Sequence, residues 1–79
     1  MTVARASTPT LRDTLVRSRL NHRKARLRLV LTALRDRVDE LERNDAPVPE
    51  PLLAAITDFE AEFAAVSEGL AVLARRSLA

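Results

Sequence analysis

The stretch "NDAPVPEP", residues 44–51, decides the fold. Pro47, Pro49 and Pro51 lack backbone donors and push the residues before them away from helical angles. Asn44 and Asp45 suit the exit of a helix, and Pro49 or Pro51 can open another, with Glu50 near its positive end. The connection is short and stiff. Helices on either side of it therefore fold back antiparallel.

Upstream, the chain runs from Thr10 to Arg43 without proline or glycine. Thr10 is a candidate cap, with Asp13 three residues on to return the bond and meet the positive helix end; Thr8 followed by Pro9 is a rival start. The apolar register is Leu20, Leu27, Leu31, Leu34, Val38 and Leu41, in steps of three and four except at Lys24. Arg17 and Lys24 occupy seam positions where leucine would ordinarily sit. Their stems can cover apolar surface while their heads reach water. A helix over 10–43 would be a rod of roughly 50 Å at 1.5 Å per residue.

Downstream, Leu52, Ile56, Phe59, Phe63, Val66, Leu70 and Leu73 keep the same alternation and predict a second helix over 51–76. Alanines at 55, 64, 71 and 74 flank it, and Gly69 reads as a close helix contact. Arg75 and Arg76 suit the negative helix end. Folding back sets Leu41 near Leu52 and Leu20 near Leu73. The expected core is Leu20, Leu27, Leu31, Leu34, Val38, Ile56, Phe59, Phe63, Val66 and Leu70.

The fold class expected is therefore all-α, an antiparallel two-helix hairpin. Residues 1–9 read as a flexible tail, 10–79 as one small helical domain and 44–50 as its turn. A bare pair of helices leaves its outer sides exposed, and Leu11, Leu15, Leu29, Leu53, Ala64 and Ala71 fall off the main seam. A homodimer of hairpins forming a four-helix bundle would cover them; a heterologous helical or acidic protein is the other candidate partner.

Composition agrees with this class. The chain has 79 residues, 47% of them hydrophobic, with two aromatics, so helix formers dominate and strand formers are sparse. Cysteine is absent and His22 is the sole histidine, which excludes disulfides, thiolate metal sites and a cysteine nucleophile, and makes a structural zinc site implausible. No P-loop, dinucleotide-binding glycine motif or HExxH pattern occurs. Asp58, Glu60 and Glu62 do not share one helix face and read as a solvated acidic surface. Neither enzyme activity nor a cofactor is expected. The start "MTVARASTPT" has no apolar run long enough for a signal peptide's hydrophobic segment, the later runs "PLLAAI" and "LAVLA" are too short to span a bilayer, and a cytoplasmic setting is expected.

Charge is divided along the chain. The segment "RSRLNHRKARLRL", residues 17–29, holds six lysines or arginines and no acid. Residues 1–28 carry eight bases against one acid, residues 29–79 five bases against ten acids, and the net charge of +2 hides the split. Arg12, Arg17, Arg19, Arg23, Lys24, Arg26 and Arg28 form the candidate partner surface. Within a hairpin or across a dimer, Arg23, Arg26 and Arg28 can meet Glu60, Glu62 or Glu68. The function expected is protein association, as an adaptor, chaperone-like subunit or assembly factor. The alternative is a nucleic-acid-binding accessory protein that uses the basic stripe of residues 12–28 on phosphates. Zinc-finger spacing and aromatic stacking residues are missing from that stripe, and no short helix-turn-helix is apparent.

Overall fold

The computed structural model describes residues 10–78, with side chains through residue 76. Two helices, α1 (Leu11–Arg43) and α2 (Glu50–Leu78), pack along their lengths as an antiparallel, all-α hairpin. The tail expected over 1–9 and the rival start at Thr8 lie outside the described residues.

Each helix end follows from local chemistry. Thr10 is extended (φ −72°, ψ 162°), and its hydroxyl accepts the Asp13 N–H at 3.0 Å. That satisfies one of the donors a helix start leaves over, and Asp13 adds a negative charge to the first turn. At the other end Asp45 takes a left-handed conformation, φ 53°. Its N–H donates to the Glu42 carbonyl at 3.1 Å, while the Ala46 N–H donates to Leu41 at 2.8 Å. These are the two reverse bonds of a Schellman cap, formed here on an aspartate rather than the usual glycine.

Residues 46–49 then run as irregular chain, where Pro47 and Pro49 have no donors to leave unsatisfied. The Pro49 carbonyl accepts from Leu52 and Leu53 N–H, so α2 starts at Glu50 and Pro51 sits inside its first turn. This start is one residue earlier than the pattern predicts. A proline in the first turn costs no hydrogen bond. At the far end, α2 runs two residues beyond the expected stop at 76.

The seam is regular. In α1 every residue from Leu11 to Arg43 that is not exposed falls on one alternation of three and four: Asp13, Arg17, Leu20, Lys24, Leu27, Leu31, Leu34, Val38 and Leu41. In α2, Leu52, Ile56, Phe59, Phe63, Val66, Leu70 and Leu73 do the same, joined by small residues at the seam's margin. Among the described residues the buried ones are Leu27, Leu31, Val66 and Leu73, and each keeps a few per cent of its surface exposed. The other seam residues, Phe59 and Phe63 included, are half-buried, because two helices can surround a side chain on only part of its perimeter.

Register is visible in the closest approaches. Leu20 Cδ1 lies 3.4 Å from the place a Gly69 Cβ would occupy. Leu20 thus sits over Gly69, one turn before Leu73, the partner the pattern predicts. The missing side chain at 69 leaves the room. No described helix is long and apolar enough to cross a membrane.

Candidate functional site

With the seam as heptad positions a and d, the remaining residues fall on two flanks. In an antiparallel pair, e positions of one helix face e positions of the other, and g positions face g. Two inter-helix ion pairs among the described residues obey that rule. Arg23 and Glu62, both g, meet at 3.0 Å; Arg35 and Glu60, both e, meet at 2.7 Å on the opposite side. All four side chains are about half exposed, so each pair orients the helices and contributes only about 0 to 1 kcal/mol.

The expected ion pairing is corrected in part. Arg23 takes Glu62, but Arg26 and Arg28 form no ion pair among the described residues. Glu60 pairs with Arg35 instead, and Glu68 with Arg75 two turns along α2. Position explains the difference. Arg26, at c, points away from α2, and Arg28 lies over an aromatic ring.

That ring is Phe63. The Lys24 ammonium stands 5.5 Å from its centroid and the Arg28 guanidinium carbon 5.9 Å. A large seam residue of α2 thus fills the gap left where α1 has lysine in place of leucine. The Lys24 stem lies in the half-buried seam and its charge meets the electron-rich ring face, a contact worth about 0.5 to 1 kcal/mol near a surface. Neither Arg35 nor Phe63 stood out as a contact partner of this basic segment in the sequence. The available signal was the heptad letter: Arg35 shares e with Glu60, and Phe63 lies opposite Lys24, where the leucine row of α1 is interrupted.

The two flanks differ in chemistry. On the g and c side α1 presents Arg12, Arg19 and Arg26 at seven-residue spacing, all exposed, with Arg23 beside them. A cleft at the open end of the hairpin, lined by Thr10, Arg12, Asp13, Val16, Leu73 and Arg76, opens on this side. The e and b side of α1 carries no charge from Leu11 to Ala25, holding Thr14, Ser18 and Asn21 between them. On α2 the same side holds Leu53, Thr57, Ala64, Ser67, Ala71 and Ala74, with charges at Glu50 and Glu60. A cleft of about 340 Å³ lies here, between Arg28, Leu31, Thr32, Arg35, Glu60 and Phe63.

The remaining candidates divide by position. Arg17 is half-buried on the seam, and Leu20, Leu27, Leu31, Leu34 and Val38 lie along the α1 seam with it. Ile56, Phe59, Phe63, Val66 and Leu70 line the α2 seam. Asp58, Glu60 and Glu62 are all exposed and point to different sides. Among the described residues no three histidine, cysteine or acidic side chains converge on a point that could hold a metal ion. Comparison with protein-family models, with characterised proteins and with solved structures finds no match, so the functional reading rests on the molecule itself.

Proposed function

We propose that this chain is a protein–protein interaction module that pairs with a second copy to make a four-helix bundle. In that state it serves as an adaptor, chaperone-like subunit or assembly factor. Its role on this reading is association rather than catalysis, in a cytoplasmic setting that a cysteine-free chain suits. The observation that carries the proposal is the thinness of the core. Among the described residues four side chains are buried, while Leu11 and Leu29 are 76% and 72% exposed and Leu15, Leu53 and three valines are also open. A chain of this size is marginal without further burial, and a second layer of helices supplies it. Capture of partners from native lysate at controlled salt, with and without nuclease, alongside a solution mass, tests the reading. Nuclease-resistant protein capture together with a dimeric mass supports it. A monomer that captures nothing contradicts it.

A nucleic-acid-binding role is the second reading, favoured by Arg12, Arg19 and Arg26, which line one exposed side of α1 without an ion pair among the described residues. Duplex binding that weakens steeply with salt and disappears on charge reversal at Arg19, Arg23 and Arg26 would put it first.

A further inference from the structure

We propose that the e and b flank, neutral along α1 as far as Ala25, is where the second copy seats, each α1 lying over the α2 of its partner. This rests on the self-association reading above and adds a face and a helix order to it.

The face follows from what each flank would bury. Docking through the g and c side would strip water from Arg12, Arg19 and Arg26 and from the Arg23–Glu62 pair, all along the open half of the hairpin. The e and b side, by contrast, is free of charge on α1 as far as Ala25 and carries Arg28, the Arg35–Glu60 pair and, nearer the turn, Asp39, Glu42 and Glu50. Desolvated charges are costly, and interface centres are depleted of them. The e and b flank offers Ala25 and Ala64, small enough for close helix approach, with Leu11 and Leu53 exposed beside them. Leu15 and Leu29 border the same side of α1. Ser67 sits on this flank in α2, half-buried, its hydroxyl oxygen already shut from solvent within the hairpin.

The area is adequate. The 29 residues of α2 run about 43 Å, and the hairpin is 16 Å across its wider side. A flank of that size covers about 700 Å² per protomer, or about 1,400 Å² for the pair, within the usual range for a specific interface.

The order follows from charge. A twofold axis can place this flank on its own copy in two ways, with like helices stacked or with α1 over α2. Helix α1 carries ten bases and five acids; α2 carries two bases and five acids. Most bases of α1 lie off this flank, where its base without an ion pair among the described residues is Arg28, while α2 presents Glu50 and Glu60 there. The alternating order brings that acidic helix over Arg28, whereas stacking like helices sets the acids of α2 against each other. Closed twofold contacts also end the assembly at two copies.

The cysteine-free chain allows a direct test. Leu20 beside Gly69 and Arg28 beside Phe63 set Ala25 level with Ala64, so Ala25→Cys and Ala64→Cys on separate full-length chains report the neutral flank. Arg26→Cys and Ala65→Cys report the charged one. Solution mass comes first: a wild-type monomer at every concentration overturns self-association, and this inference with it. Given a dimer, mixing the first two variants under oxidation is expected to give the mixed disulfide as dominant product, with neither variant linking when alone. Disulfides need Cα atoms within about 7 Å, which only the proposed order provides. A dimer in which Ala25→Cys links to itself overturns the order. One that links Arg26→Cys to Ala65→Cys, or that links none of these positions, overturns the face and leaves self-association standing.

Discussion

Lys24 holds its ammonium 5.5 Å from the centroid of Phe63, at a seam position between Leu20 and Leu27 where α1 carries a charge. Position 24 is half-buried, so a leucine there would gain apolar burial against the ring and lose a cation–π contact of similar size. The burial outweighs the contact, because the ammonium is only partly desolvated. Lys24→Leu is expected to stabilise the chain by about 1 kcal/mol in urea unfolding. A loss of stability would show that the charge, not the stem, is what position 24 contributes.

Gly69 has an ordinary helical backbone, and a Cβ there would meet Leu20 at 3.4 Å, an ordinary contact distance. Gly69→Ala therefore gains helix propensity without a clash and is expected to raise stability by about 0.5 to 1 kcal/mol. Gly69→Leu has no such room and is expected to lower it. Thermal unfolding of the two variants checks the opposite signs.

The left-handed Asp45 predicts a glycine preference. Asp45→Gly relieves the Cβ strain while keeping the cap's backbone bonds, and is expected to stabilise by about 0.5 to 1 kcal/mol; Asp45→Val is expected to destabilise by about the same or more. Chemical denaturation of both variants at one protein concentration measures the difference.

Truncation costs separate the hairpin from its assembly. Leu31 is 4% exposed within a single chain, so Leu31→Ala is expected to cost about 2 to 4 kcal/mol at any protein concentration. Phe63 is half-buried in the single chain and borders the cleft on the neutral flank. Phe63→Ala is expected to cost about 3 to 5 kcal/mol where a second copy covers the ring, and less on dilution. Equal costs at high and low concentration would mean that nothing covers it.

The hairpin was legible because its signals are local. Three prolines in five residues and an alternation of threes and fours on either side, interrupted only at Lys24 between Leu20 and Leu73, define two helices without any long-range information. The Thr10 cap was legible for the same reason. Ion pairing was less so. Arg23 found Glu62, but Arg35 took Glu60 and left Arg28 to Phe63, because a long flexible arginine reaches several neighbours within a turn and the register selects among them. Gly69 read as a close helix contact, yet the residue it approaches, Leu20, depends on how many residues the turn takes up before Glu50. The division of the basic segment into a charged and a neutral flank needed the seam to be placed first; in the linear sequence it reads as one block.

The most direct test of the central claim, that one hairpin is an incomplete core, is sedimentation equilibrium across a wide range of protein concentrations. The expected result is twice the 8.8 kDa chain mass, with dissociation on dilution accompanied by loss of helical signal. A stable, helical 8.8 kDa monomer at every concentration, unfolding with the same midpoint throughout, would contradict it.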